Sequence, residues 1–497
     1  MRREGLRMVD LQLVIPLFVY LLAVYGLAFY SNRILSKAGN FLEEYFIGSR
    51  GLGGFVLAMT LVATYTSASS FVGGPGVAYK MGLGWVFLAM IQLPTAWLTL
   101  GVLGKKFAIV ARRINAVTVN DILRERYQNR AVVILGSLSL IVFFIAAMVA
   151  QFIGGARLFE GVTGLSYNTG LMIFAFTVIL YTTIGGFRAV ALTDAVQGVV
   201  MLAGTLALLA GIIKVGGGVG HIVADLRSID PALITPFGPE GFISKPFILS
   251  FWVLVCFGVI GLPHTAVRCF AYRDSRSMHS AIILGTVVIG VLMLGMHLCG
   301  AFGRAIIPDL AVGDRIMPAL MIRVLHPFAA GVFLAGPLAA IMSTIDSQLI
   351  LASASIVKDL YLNYIDPAAG STEKGEGLLH RLSFWSTAIL GIIVFAASFN
   401  PPDLIVWINL FAFGGLQAAF LWPLVLGLYW KKANAAGALA SMVAGVASYF
   451  YLVTYVKRFW GMHVIVPTLL IGLIVFVIFS HFGGKPGKRT MELFWGE

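Results

Sequence analysis

The segment Thr60–Gly76 is the feature that most constrains this chain. It lies in a stretch apolar enough to cross a bilayer, yet it contains six serine or threonine residues, three glycines and a proline. Glycine and proline interrupt helical hydrogen bonding, and the freed backbone groups are tolerated at membrane depth only where protein or a wet cavity satisfies them. We therefore predict that residues 63–70 form the unwound middle of a broken transmembrane helix. A Gly/Ser-rich face for close helix packing is the alternative.

Composition places the whole chain in a membrane. Of the 497 residues 59% are hydrophobic and 11% are charged, and the mean hydropathy is +0.92, which is typical of a polytopic helical membrane protein. The net charge of +13 comes from basic residues in short loops between apolar spans rather than from a nucleic-acid-binding patch. The three cysteines, Cys256, Cys269 and Cys299, have no ligand spacing, so neither a disulfide nor zinc is expected.

Apolar periodicity predicts thirteen transmembrane spans. They lie near residues 11–30, 49–77, 83–104, 131–155, 167–184, 188–213, 246–268, 279–303, 328–357, 380–398, 403–429, 435–456 and 464–482. Lysine and arginine are concentrated in the alternate connections that include 105–130, so these connections and the C-terminus are expected in the cytoplasm and the N-terminus outside. The N-terminal Arg2, Arg3 and Arg7 argue the other way.

A second interrupted span supports a transporter. Phe251–Arg268 contains Gly258, Gly261 and Pro263, five spans after the first break. Paired interruptions at corresponding positions are typical of inverted-repeat transporters with a site at the membrane midplane. We expect an N-terminal span and link (1–48), a first repeat (49–214), a second repeat (215–430) and two C-terminal spans with a basic tail (431–497).

Three further stretches resemble the sodium:solute symporter family. They are Tyr181–Gln197, the Gly261-x-Pro263-His264-x-x-x-Arg268 pattern, and Ala340–Thr344 leading to Lys358–Tyr361. The resemblance covers nearly the whole chain and implies an all-α, LeuT-type, five-plus-five inverted repeat, with one extra span before it and two after it. It also implies sodium as the coupling ion, a small-molecule solute as substrate, and a multi-pass location in the bacterial cytoplasmic membrane.

A hydroxyl pair in the ninth predicted span is the candidate for the sodium site. Ser343 and Thr344 offer hydroxyl oxygens, and Ala340 offers a carbonyl one turn earlier. The resemblance implies that the carbonyls of Ala63 and Thr66 are the partner donors. Without the resemblance, such a pair is more simply explained by hydrogen bonds to carbonyls one turn earlier in its own helix.

Two carboxylates are candidates for the sodium path. The resemblance implies this role for Asp194, for which an interfacial, helix-terminal aspartate is the alternative. Asp346 lies within an apolar stretch, where a carboxylate is costly and by default functional. The family more often has an uncharged residue at this position, so strengthening of cation binding, protonation and pairing with a buried base all remain open for Asp346.

Substrate contacts are expected around the first break. Ser67, Ser69 and Ser70 open the second half-helix, whose N–H groups and positive dipole end suit a carboxylate. Polar side chains on other spans could bind amide and hydroxyl groups, and aromatic ones could form the wall of the pocket. The candidates are Gln92, Gln151, Trp252 and Phe257. A helix bridge for each glutamine, and lipid or core packing for each aromatic ring, are the alternatives.

The second break is assigned a structural or gating role. Gly258, Gly261 and Pro263 interrupt the helix, and His264 and Arg268 share one of its faces. We place Arg268 near the cytoplasmic end, within reach of headgroups or Asp274, with a carboxylate clamp as the alternative. His297 and Arg304 are expected to extend toward the outer membrane surface.

The resulting prediction is sodium-coupled symport by alternating access. The resemblance implies as substrate a small anion with a carboxylate, hydroxyls and an amide, and proline, another carboxylate or a sugar is the alternative. A membrane enzyme or sensor is the rival class, but the sequence has no H-E-x-x-H, G-x-S-x-G or P-loop and no sizeable soluble region. A channel is a further alternative. No cofactor, nucleic acid or obligate protein partner is expected.

Overall fold

The computed structural model describes residues 11–35, 50–371, 373–402 and 404–496, with the backbone alone at 27–35, 184–192, 371 and 373. Residues 1–10 and 36–48 of the predicted N-terminal span and link therefore lie outside the described residues. The described residues of the first half of the chain are mostly helical. Its α-helices are α1 Leu11–Leu35, α2 Gly54–Tyr65, α3 Gly74–Met81, α4 Leu83–Ala89, α5 Thr95–Leu98, α6 Lys105–Arg113, α7 Val119–Tyr127, α8 Arg130–Thr163, α9 Tyr167–Val215 and α10 Val219–Ile229.

The second half continues the helical bundle and adds one short hairpin. Its α-helices are α11 Lys245–Phe251, α12 Pro263–Ala266, α13 Arg268–Ala271, α14 Ser275–Ile306, α15 Ile316–Val324, α16 Pro327–Ala354, α17 Glu373–Ala397, α18 Val406–Tyr429, α19 Ala435–Tyr451, α20 Ile465–Phe482 and α21 Lys488–Trp495. Strands β1 Arg458–Phe459 and β2 Met462–His463 pair antiparallel. Trp460 and Gly461 turn between them with positive φ.

Short 3-10 and π-helical turns join or extend several of these helices. The π-helical segments are Ser69–Gly73, Thr99–Gly104, Trp252–Cys256, Ser355–Leu362 and Leu452–Val456. The 3-10 segments are Met90–Gln92, Pro231–Ile234, Pro239–Gly241, Phe257–Gly261, Gly313–Arg315 and Pro367–Ser371. π-helical turns are rare and frequently lie at functional sites, and here two of them belong to the predicted breaks.

The number of membrane-crossing helices agrees broadly with the prediction. Within the described ranges, nine helices are long and apolar enough to span a bilayer, or eleven if each of two bent pairs is one span. Two shorter apolar helices, Leu11–Gly26 and Tyr167–Thr183, are additional. The predicted connection at 185–188 is not an irregular loop, because helical backbone continues through it in α9. The count of thirteen stays a prediction.

The helices divide into a buried centre and a peripheral layer. In α16 and α18, 78% of the apolar stretch is buried inside the protein, whereas in α17 and α20 the share is 33%. Helix α16 packs against α1, α8 and α9, and α18 packs against α8 and α19. The polar residues of α16, including Ser343, Thr344 and Asp346, are therefore enclosed by protein rather than facing lipid.

Candidate sodium and substrate sites

The first break is present and its backbone groups have partners. Helix α2 ends at Tyr65, Thr66 is extended (φ −73°, ψ 135°), and the two half-helices meet at a bend of 68°. The amide of Ala68 donates to Gln151 Oε1 at 2.7 Å, and the amide of Ser69 donates to Ser67 Oγ at 3.2 Å. Side chains thus satisfy N–H groups that the interrupted helix leaves free, so the prediction of a broken span is confirmed. The predicted unwound segment at 63–70 was too long, because only Thr66 and Ser67 are non-helical and helical backbone resumes at Ala68.

Predicted sodium donors from two helices meet beside this break. Thr344 Oγ1 lies 2.8 Å from Thr66 O and 2.9 Å from Ala340 O. Ser343 Oγ is buried and has no hydrogen-bond partner among the described residues. Ala63 lies three residues before Thr66, on the buried end of α2. Hydroxyl and carbonyl oxygens of this kind are the hard, neutral donors that suit an alkali cation.

Asp194 belongs to a buried charged cluster. Its Oδ2 accepts a hydrogen bond from Thr60 Oγ1 at 2.6 Å and lies 3.8 Å from Arg268 Nη2. The same guanidinium nitrogen donates to Thr64 Oγ1 and Ser347 Oγ, at 2.6 Å each. The alternative of an interfacial aspartate does not fit this structure, because both charged side chains are fully buried.

Arg268 is therefore not at the cytoplasmic surface, where we expected it. It is the largest fully buried side chain among the described residues. The second break bends the chain by 52° and places α13 against α2. Asp274 instead caps α14, where the Ser277 amide donates to its carboxylate at 2.8 Å and holds its pKa at about 2.

Asp346 accepts hydrogen bonds from two hydroxyls of α9. Thr182 Oγ1 donates to it at 2.5 Å, and Tyr181 OH donates to its other oxygen. The carboxylate is buried. Its hydrogen-bond partners among the described residues are thus hydroxyls rather than a base. Ser347, the next residue on α16, contacts Arg268.

A small cavity of about 40 Å³ adjoins the first break. It contains four of the predicted substrate residues, Ser67, Ser69, Ser70 and Gln92. Gln92 Oε1 accepts a hydrogen bond from Tyr65 OH at 2.7 Å. The other wall residues were not among the predicted substrate contacts. They are Tyr65, Gly74, Trp85, Ala89, Phe251, Val255, His297, Val406, Asn409, Leu410 and Phe413.

Three predicted substrate residues lie elsewhere. Gln151 braces the first break through Ala68 and lies 3.4 Å from Asn409 Oδ1. Trp252 and Phe257 are 41% and 52% exposed and stand outside the cavity. In the π-helical turn at Trp252–Cys256 residues five apart come onto one face, and these two rings are 6.4 Å apart. Phe251 and Val255 occupy the cavity side instead.

The glycines and proline of the second break allow close packing. A Cβ on Gly258 would lie 2.3 Å from Gln417 Oε1, and one on Gly261 would lie 2.9 Å from Leu421 Cα. Pro263 opens α12 after the extended residue Leu262. His264 is buried between the rings of Phe144 and Phe413, at 5.6 and 5.7 Å. These contacts explain why bulkier residues would not fit at the two glycines.

His297 does not extend to the membrane surface. It is 3% exposed and forms part of the cavity wall. An ionisable side chain about two turns from the end of the predicted span at 279–303 was the signal in the sequence for this position. Arg304 lies over the Tyr79 ring at 4.9 Å and donates to its hydroxyl at 2.9 Å, so it is held by protein rather than by headgroups.

Two interrupted helices, with oxygen donors at the first of them and a cavity beside it, define a membrane transporter of the broken-helix class. A model of the sodium:solute symporter family matches residues 45–445. The chain belongs to this family of sodium-coupled solute symporters.

Relatives and solved structures extend the match over the full length. The sodium/pantothenate symporter of Escherichia coli is 57% identical over 482 residues, covering 97% of this chain and 99% of that protein. The one of Haemophilus influenzae is 54% identical over 486 residues, covering 97% and 98%. A solved Na+-coupled sialic acid symporter, in a substrate-bound outward-open state, aligns with a TM-score of 0.77 at 19% identity, over 97% of this chain and 100% of that one. That last likeness concerns the fold alone.

Proposed function

We propose that this protein couples the inward movement of sodium to the uptake of pantothenate across the bacterial cytoplasmic membrane. One observation supports the transport mechanism above all. Beside the cavity, the Thr344 hydroxyl lies within hydrogen-bond distance of the carbonyl oxygens of both Ala340 and the unwound Thr66. The assignment of pantothenate rests on the 57% and 54% identical relatives that bear this substrate in their names.

Sodium binding would connect the two halves of the transport core. An ion held by Ala63, Thr66, Ala340, Ser343 and Thr344 replaces the direct hydrogen bond between Thr344 and Thr66 with shared coordination. This fixes α2 against α16 and holds the first break in the geometry that shapes the cavity. Sodium would therefore bind first, stabilise the outward-facing form and complete the substrate site.

Release of sodium would proceed through the carboxylates. Asp194 is connected to the two helices that carry the sodium donors. Arg268 lies 3.8 Å from Asp194, and it donates to Thr64 on α2 and to Ser347 on α16. We assign Asp194 and Asp346 to the sodium path on this basis. A sodium ion moving inward down a potential of 100 mV releases about 2.3 kcal/mol of free energy. One sodium with one pantothenate anion would be electroneutral, so voltage-sensitive uptake would indicate additional sodium.

The architecture proposed for this cycle is the inverted repeat. Residues 49–214 and 215–430 form the two five-span repeats, each opening with a broken helix, after an N-terminal span (1–48) and before two C-terminal spans (431–497). Counting the two short apolar helices as spans gives the proposed thirteen, with the N-terminus outside and the C-terminus cytoplasmic. Gly258, Gly261, Pro263, His264 and Arg268 would act at the hinge of the second broken helix. The role is transport, without an enzymatic step or cofactor.

The substrate needs more room than the cavity offers in this conformation. A cavity of about 40 Å³ holds only a few water molecules, so the wall must open for a solute with a carboxylate, an amide and hydroxyls. This agrees with alternating access, in which the site is enclosed between the outward and inward forms. Proline, another carboxylate or a sugar remains the alternative substrate.

The test is uptake of labelled pantothenate into proteoliposomes, with an inward sodium gradient or equimolar potassium. Sodium-dependent accumulation that Ser343→Ala/Thr344→Ala abolishes is the expected result. Ser353→Ala is the matched control, because Ser353 lies on the same helix but bonds Ser386 at 2.6 Å, away from the break. Accumulation of proline with sodium, without accumulation of pantothenate, would contradict the substrate assignment and keep the symport mechanism.

A further inference from the structure

The cavity wall has polar atoms that the fold leaves without partners. Tyr65 and Gln92 are bonded to each other, and Ser67 Oγ accepts the Ser69 amide. By contrast, Ser69 Oγ and Trp85 Nε1 are buried and have no hydrogen bond to any described residue. Because a buried polar group without a partner is unfavourable, these atoms point to a ligand as their partner.

Trp85 is held on the cavity wall by two neighbouring aromatic rings. The side chain is 3% exposed, and its ring packs edge-on against Phe251 at 5.5 Å and Trp407 at 6.1 Å. Indole nitrogen is a donor only. A ligand group that hydrogen-bonds the Trp85 indole must therefore be an acceptor, such as a carboxylate or carbonyl oxygen.

His297 presents the complementary group. Its Nδ1 lies 2.7 Å from Met293 O, and a carbonyl only accepts, so Nδ1 carries the hydrogen. In the neutral ring, Nε2 then has a lone pair and acts as an acceptor. Gly74 makes room for this nitrogen, since a Cβ at Gly74 would lie 2.3 Å from it. Among the described residues none hydrogen-bonds Nε2.

The cavity wall carries no lysine, arginine, aspartate or glutamate among its described residues. A neutral His297 is therefore consistent with its surroundings, because burial in an apolar site disfavours the charged ring. Recognition at this wall rests on neutral donors and acceptors rather than on an ion pair.

We propose that Trp85 and His297 are specificity-determining residues of the substrate site, with the Trp85 indole donating to a carboxylate or carbonyl oxygen and His297 Nε2 accepting a hydroxyl hydrogen. The substrate class that matches is a hydroxylated carboxylate or amide. The proposal rests on the proposed function, since pantothenate carries each of these groups. Ser69 Oγ is a further hydroxyl on the same wall.

The experiment compares sodium-driven uptake of pantothenate with that of its two analogues in which one hydroxyl is replaced by hydrogen. For the wild type, one analogue loses roughly ten-fold in kcat/KM, as expected for one hydrogen bond. In His297→Phe that loss disappears, because the variant has no acceptor to leave unpaired. His297→Gln, which keeps an acceptor, restores the preference in part. Trp85→Phe raises the KM for pantothenate roughly ten-fold and leaves kcat within about two-fold.

Matched controls carry the same chemical changes outside the cavity. His279 lies on α14, as His297 does, and its Nδ1 lies 2.7 Å from the carbonyl oxygen of Ser275, four residues earlier. His279→Phe therefore loses the same kind of contact as His297→Phe. Trp385→Phe removes the indole N–H of an exposed ring on α17 that packs on Phe384. Both are expected to transport like the wild type.

Two results would overturn the proposal. One is a His297→Phe variant that keeps the hydroxyl preference, and the other is a Trp85→Phe variant with the same KM as Trp385→Phe. If the wild type does not accumulate pantothenate with sodium, the proposed function fails and this proposal fails with it. If the wild type does and the variants are unchanged, only the assignment of Trp85 and His297 fails.

Discussion

Replacing Arg268 with methionine tests whether the buried charged cluster holds the two transport halves together. The guanidinium makes hydrogen bonds of 2.6 Å to Thr64 and Ser347 and lies 3.8 Å from Asp194. At an effective dielectric of about 20, two unit charges at that distance attract by roughly 4 kcal/mol. Arg268→Met leaves the Asp194 charge buried without this partner, and removing one member of a buried pair typically costs about 3–5 kcal/mol.

The assay is SDS-induced unfolding of the purified protein in mixed micelles. We expect Arg268→Met to lower the free energy of unfolding by about 3–5 kcal/mol. Asp194→Asn/Arg268→Met should recover part of that loss, because the double change removes the unpaired charge. Arg273→Met is the matched control: its pair with Asp274 is exposed, so the expected loss is below about 1 kcal/mol. A loss below about 1 kcal/mol for Arg268→Met, or strictly additive effects in the double variant, would refute the reasoning.

Two further predictions concern the cavity. Gly74→Ala should raise the KM for pantothenate about ten-fold, because the added methyl would lie 2.3 Å from His297 Nε2. Gly377→Ala is the control and should transport like the wild type, because its added methyl meets nothing within 4 Å. Equal KM values in the two variants would contradict the predicted contact. Trp252→Ala should leave the KM unchanged while Phe251→Ala raises it, since only Phe251 lies on the cavity wall; the opposite order in uptake assays would contradict the outward position of Trp252.

Local chemistry made the two breaks predictable. Glycine and proline disfavour a continuous helix, and the second break does fall at Gly258–Pro263. The first break falls at Thr66 and Ser67 instead, and the backbone of Gly73–Gly76 is helical. Burial of Asp346 in protein was also predictable, because a carboxylate within an apolar stretch needs a protein environment. For Asp194 the sequence left an interfacial position open, and the structure decided for burial. These features, with the apolar spans, were enough to predict a polytopic helical transporter.

The positions of side chains around the cavity depended on tertiary structure. Arg268 was expected near headgroups, but the 52° bend turns it into the protein centre, and no local pattern specifies a bend angle. Trp252 and Phe257 face outward because the π-helical turn changes which residues share a face.

The sequence by itself determined that the chain crosses the membrane many times, where its helices break and which residues could offer oxygen to sodium, because these follow from hydropathy and backbone chemistry. Only the tertiary structure decided which polar groups meet. Trp85 on α4 and His297 on α14 are distant along the chain, and they share one cavity because helices far apart in sequence pack together around the first break.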